Sequence, residues 1–220
     1  MSSFTEEEIK LNPGVCDLDG NTYAMFLINC NIFDIPDYAK HNSAIQNYNG
    51  ETCAMLHMKH NPDQALPKWM EHNPAIQDHN GLTAAMYWIQ YNNVNLELPS
   101  WTQHDPAIQS ENGYTAAMYW IEYTRGINPP HWMQHEPTIR DKNGNTAAMW
   151  WCMNNPTINF EDWMNHDPAI QNKDGKTFSS YKDASLIETE SHSSLPDIEK
   201  RWFKLSSKIN NVISVKLMQS

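Results

Sequence analysis

Five histidines, His41, His72, His104, His135 and His166, recur at intervals of 31 or 32 residues, each followed by Asn, Asp or Glu. Imidazole can bind a metal, move protons near neutral pH or carry a cation. If the interval is a structural repeat, neighbouring rings stand about 10 Å apart, the distance at which neighbouring helices pack. Zinc holds nitrogen at about 2.0–2.1 Å, so two successive rings cannot share one ion. The ladder is therefore read as a cation or cap at a helix C-terminus, with no metal and no cofactor.

A second series, Trp69, Trp101, Trp132 and Trp163 with Tyr38 ahead of them, keeps the same step. An aromatic at a fixed repeat position is expected between repeats as core. Cys16, Cys30, Cys53 and Cys152 show no CxxC pair and no regular spacing, so idle thiols in a reducing compartment are expected. The sequence carries no Ser-His-Asp order, no Gly-rich phosphate loop and no HExxH. No catalytic residue and no small-molecule substrate is expected.

These series sit inside a longer period. An Asn/Asp-Gly-x-Thr signature falls at Gly20, Gly50, Gly81, Gly113, Gly144 and Gly175, spaced 30, 31, 32, 31 and 31 residues. After each of the first five comes a run such as TYAMFLI, TCAMLHM or TAAMYWI, which predicts a buried helix of two to three turns with Thr at its N-cap. A second helix is predicted from IPDYAKH, LPKWMEH, LPSWTQH, PPHWMQH and FEDWMNH, because Pro fits a first helical turn. HNSAIQ, HNPAIQ, HDPAIQ and HEPTIR then read as an extended segment leading into the next turn. A unit of about 31 residues cannot bury two short helices alone, so the fold class is all-α, a helical repeat solenoid with short hairpin loops.

Residues 1–19 read as an N-terminal half-repeat cap, with Ser3 and Glu6 spaced as a capping box. Residues 20–180 are the array. Residues 181–220 read as a C-terminal cap or tail with two short amphipathic helices, carrying Ile198, Trp202, Phe203 and Leu205, then Ile209, Val212, Ile213 and Leu217. The net charge is −11 over 220 residues, which argues against direct nucleic-acid or membrane binding and favours a basic partner. No apolar run reaches a membrane span and no signal-peptide pattern opens the chain, so a cytoplasmic protein is expected, in its own cell or in a host cytosol.

The order of elements resembles the ankyrin repeat, whose pattern is D-x-x-G-x-T-P-L-H-x-A, two helices and a G-A-D-V-N hairpin. Asp78-His79-Asn80-Gly81-Leu82-Thr83 is similar to its opening, and His104 to Gln109 to its hairpin, over residues 12 to about 180. Three departures follow. Thr-Ala-Ala-Met replaces Thr-Pro-Leu-His, so the histidine that ties the turns is missing and methionine is expected to fill the space by packing alone. Ala85, Ala117 and Ala148 stand for leucine while Trp88, Trp120 and Trp151 stand for alanine. The unit is about two residues short, so the hairpins should be stubby.

The resemblance implies a non-catalytic protein-binding module, an effector or inhibitor that occludes a target protein. Its partner-binding positions are those that vary between repeats: Asp78, His79, Leu82, Gln90, Tyr91, Ser110, Glu111, Tyr114, Glu122, Tyr123, Asp141 and Lys142, with Tyr114 and Tyr123 carrying most affinity. Asn47, Tyr48, Lys59, His60, Met153 and Asn154 occupy equivalent places. An acidic nucleic-acid mimic that inhibits a DNA- or RNA-binding protein is the alternative. A delivered effector with a C-terminal signal in SLIETESHSSLPDIE is a third.

Overall fold

The computed structural model describes residues 5–91, 98–155 and 158–182. Helix α1 (Glu6–Leu11) is capped by Thr5 and Glu8 reciprocally, two residues beyond the Ser3–Glu6 pair that spacing predicts. Helices α2 (Tyr23–Asn29), α3 (Cys53–His60), α4 (Ala84–Tyr91), α5 (Ala116–Thr124) and α6 (Ala147–Asn154) begin alike. The hydroxyls of Thr22, Thr52, Thr83, Thr115 and Thr146 accept from the amides of Met25, Met55, Met86, Met118 and Met149 at 3.3–3.4 Å. Each such cap stabilises its helix by about 1 kcal/mol.

The same methionines are fully buried, and so are Ala24, Ala54, Ala85, Ala117 and Ala148 beside them. Small residues at this position let α2 pack on α3, α3 on α4, α4 on α5 and α5 on α6. Each buried methionine contributes about 1.5–3 kcal/mol of transfer free energy. Trp151 is fully buried and Trp88 nearly so, while Trp120 is half-buried. The indoles of Trp120 and Trp151 donate to the carbonyls of Ile127 and Ile158 in the following loops.

The predicted second helix is absent as such. Its place is taken by single 3₁₀ turns at Asp37–Ala39, Lys68–Met70, Ser100–Thr102, His131–Met133 and Asp162–Met164. Each is followed by backbone in the extended region, which carries the histidine back toward the threonine of its own unit. One residue per turn, Ala39, Met70, Thr102, Met133 or Met164, is fully buried. The closing segment leads into the next turn without forming a strand. Among the described residues there are seven α-helical segments, the last at residues 178–182, and no strands; two isolated bridges, Cys16 to Thr22 and Gln77 to Thr83, are the extent of β pairing there.

Units join through backbone as well as side chains. The amides of Tyr48, His79, Glu111, Lys142 and Lys173 donate at 2.7–3.0 Å to the carbonyls of Asp19, Asn49, Asn80, Asn112 and Asn143 in the preceding unit. That close approach explains the recurrent glycine. Gly113 has φ +80°, and a Cβ there would lie 2.8 Å from Asp141 Cα and Lys142 N. No helix among the described residues is long and apolar enough to cross a membrane. The amphipathic segments expected over 197–220 lie outside the described residues.

Candidate partner-binding face

The histidine ladder is a set of internal ties. Nε2 of His41, His72, His104, His135 and His166 lies 2.7–2.9 Å from the hydroxyls of Thr22, Thr52, Thr83, Thr115 and Thr146. Nδ1 of each ring lies 2.7–2.8 Å from the carbonyl of the next residue. A carbonyl only accepts, so Nδ1 carries the proton and Nε2 accepts from threonine. Burial holds His41, His72, His104 and His135 below the ordinary imidazole pKa, with the backbone carbonyl only partly offsetting it. These four rings are neutral links, so of the two roles expected, cation or cap, the cation is set aside. They restore from the far end of the unit the tie that Thr-Ala-Ala-Met was expected to lack.

The aromatic series belongs to the same device. Trp69, Trp101, Trp132 and Trp163 meet His41, His72, His104 and His135 edge-on at 5.1–5.9 Å, and Phe178 meets His166 at 5.3 Å. Each unit thus covers the imidazole of the one before. Cys53 Sγ is 3.4 Å from His41 Nε2 and resembles a nucleophilic pair, but burial pushes its thiol to about 12. Burial pushes Cys152 to about 11. Both remain thiols near neutral pH. Among the described residues no group of three or more His, Cys, Asp or Glu could hold a metal ion.

Three of the expected binding residues anchor turns. Asp78, Ser110 and Asp141 are buried. Asp78 Oδ1 accepts from the amides of Asn80 and Leu82, Asp141 Oδ1 from those of Asn143 and Asn145, and Ser110 Oγ from that of Tyr114. Asn47 and Asn172 do the same in their units. Asn, Asp and Ser alternate here because each offers a short side-chain acceptor to a tight turn. His79, Glu111 and Lys142 follow them, with exposed side chains and backbone amides bound to the preceding unit.

Five of the expected residues, the turn anchor Asp78 among them, meet around one depression. Asp78, His79, Leu82, Gln90 and Tyr91 line a depression of about 440 Å³ with Asn49, Glu51, Lys59, Asn80 and Tyr87. The Tyr87 hydroxyl lies 2.9 Å from Asp78 Oδ2 and 3.2 Å from Glu51 Oε1, so one proton serves two carboxylates. Burial, then the charges of Glu51 and Asp78, push its pKa up. Burial also acts to raise Glu51, but Asn47, Lys59 and Tyr87 together hold it below the usual carboxylate range.

Beyond this depression the aromatic rings continue. Tyr91 tilts against Tyr87 at 5.8 Å, and the Gln90 side chain acts to lower the Tyr123 phenol, against the larger effect of burial. Tyr123 stacks on Tyr119 at 6.3 Å; Tyr119 meets Tyr114 at 5.3 Å, and Tyr114 meets Trp150 at 5.0 Å. Trp150 donates its indole N–H to Asp141 Oδ2 at 3.0 Å. Burial, then Glu122 and Asp141, push the Tyr114 phenol up to about 12. Tyr91 is 38 % and Tyr123 43 % exposed, whereas Tyr114 and Glu122 are half-buried.

Glu51, Tyr87, Tyr119 and Trp150 escape the sequence reading. The signal was present: the residue after the capped methionine is Tyr87, Tyr119 or Trp150, and Tyr91 and Tyr123 stand four residues beyond the first two, on the same helical side. No protein-family model and no curated protein matches the sequence.

Proposed function

We propose that the chain is a non-catalytic protein-binding module, a degenerate ankyrin-like solenoid whose aromatic and acidic face takes a basic surface of a partner protein. One observation carries the reading. Residues that repeat in type are taken up by caps, turns and ties between units, whereas two aromatic groups, Tyr87 with Tyr91, and Tyr123, Tyr119 and Tyr114 with Trp150 of the next unit, each leave one ring, Tyr91 or Tyr123, partly in solvent. Tyrosine gives a large, stiff contact area with little rotamer entropy to lose, and it can hydrogen-bond at its rim. The acidic surroundings favour a basic partner and speed its encounter.

The ankyrin-like assignment is supported by the turn, the threonine-capped helix, the return segment and the packing of each helix on its successor. The second helix is shortened to one 3₁₀ turn, which makes the unit a minimal version of that pattern. An effector or inhibitor that acts in the cytosol by covering its target is the role such a face suits. A nucleic-acid mimic is the weaker reading, because Asp78 and Asp141 are bound inside their turns and are not free to copy phosphates.

Affinity capture from the source cell tests the proposal, using the full chain and its Y91A/Y123A variant as parallel baits. The expected result is a protein retained by the first and lost by the second, with unchanged circular dichroism. Identical captures would remove the face from the function.

A further inference from the structure

On this face the acidic groups are not equivalent. Asp78, Asp141 and Glu51 are each satisfied by amides, hydroxyl, indole or the Lys59 ammonium. Glu122 differs. It is half-buried, and among the described residues no hydrogen bond or ion pair reaches its carboxylate. It stands on α5 three residues after Tyr119 and next to Tyr123, so it shares a side of the helix with these stacked rings, and its charge helps push the phenols of Tyr114, Tyr119 and Tyr123 up. Arg125, three residues on, is exposed and makes no pair with it.

A carboxylate that has lost part of its water among aromatic rings gains from an incoming cation, since the partly dehydrated setting strengthens attraction. Tyrosine faces add the attraction of the ring quadrupole for positive charge. Of the two common cations, a planar guanidinium stacks on tyrosine and offers two parallel N–H donors to one carboxylate; an ammonium does neither. We propose that Glu122, with the exposed rings of Tyr91 and Tyr123, receives an arginine side chain of the partner protein. This deepens the protein-binding reading and rests on it.

The test is a titration of the isotope-labelled full chain with acetyl-Gly-Arg-Gly-amide, followed by amide chemical shifts. The same peptide with citrulline or lysine in place of arginine serves as comparison. The expected shifts centre on residues 90–91 and 114–123, with the arginine peptide bound about tenfold more tightly than the citrulline one. E122Q should erase that difference without moving the thermal midpoint, because the carboxylate makes no internal bond. Y123L, which keeps Glu122 and removes an exposed ring, should weaken arginine binding several-fold. Equal binding of arginine and citrulline peptides, full binding by E122Q, or shifts centred on Glu51 and Asp78 would overturn the site, and equal binding of the lysine peptide would overturn the choice of guanidinium. If these tests fail while the captured protein still depends on Tyr91 and Tyr123, the arginine site is wrong and the protein-binding reading stands.

Discussion

The Thr115 hydroxyl donates to His135 Nε2 at 2.9 Å across 20 residues, while the same oxygen accepts from the Met118 amide at 3.3 Å. With Nδ1 of His135 donating to the Glu136 carbonyl at 2.8 Å, one continuous chain of donors and acceptors links the start of α5 to the return segment of its unit. Five units carry this chain, so it closes the repeat that the short 3₁₀ turn cannot close by packing alone.

Removing one end should expose its worth. H135A leaves the Thr115 hydroxyl, fully buried, without its acceptor, and is expected to destabilise by about 1–3 kcal/mol. T115A also removes the cap and should lie in a similar range, about 0.5–2 kcal/mol from the cap alone. In urea unfolding the double variant should lose less than the sum of the two, since both act on one chain. Strict additivity would mean that the contact contributes nothing as a pair.

The imidazoles set a pH dependence. His41, His72, His104 and His135 have pKa values lowered by burial, so the unfolded chain binds protons first as pH falls. Their contribution is complete above the unfolded value of about 6.5 and is lost as pH drops through the lower folded values. The urea midpoint should therefore be lower at pH 5 than at pH 7.5. A midpoint independent of pH in that window would show that these rings are not held neutral.

Gly113 and Gly175 form a matched pair. Both have positive φ, +80° and +72°, but a Cβ at Gly175 meets nothing within 4 Å, whereas one at Gly113 meets the backbone of the next unit at 2.8 Å. G175A should lose only about 1–2 kcal/mol for the left-handed conformation; G113A should lose more, because backbone must move. Equal losses in thermal unfolding would contradict the inter-unit contact.

Both nitrogens of every ladder histidine are engaged with protein atoms, which predicts that a chelator leaves the melting curve unchanged. Unfolding on dialysis against EDTA would assign the rings a metal.

The repeat, the threonine caps and the short turns were legible because each rests on a residue type whose geometry is local: glycine at positive φ, threonine at an N-cap, Asn-Gly in a turn. The length of the second helix was not legible. Pro followed by an aromatic marks a helical start but carries no stop signal, and the stop comes from a tie to a threonine about 20 residues back. Asp78, Ser110 and Asp141 looked variable because they differ in type; they share one function, accepting turn amides, so chemistry was constant where identity was not. Of the residues in the proposed face, Tyr91 and Tyr123 at the helix ends stand out in the sequence by their variation, whereas Tyr87 and Tyr119 one turn earlier show only through the i, i+4 relation.

The most direct measurement is calorimetric affinity of the captured protein for four chains: the full chain, Y91A, Y123A and a form lacking residues 197–220. That last segment carries 5 of the 15 Lys and Arg and 2 of the 26 acidic residues, a charge of +3 against −14 for the remainder, so it is the rival seat of binding. The expected result is a loss of about 1–3 kcal/mol for each tyrosine, weakening as salt rises, with little change on removing 197–220. Affinity that survives both tyrosine substitutions and vanishes with residues 197–220 would contradict the binding face and move the function to the C-terminal segment.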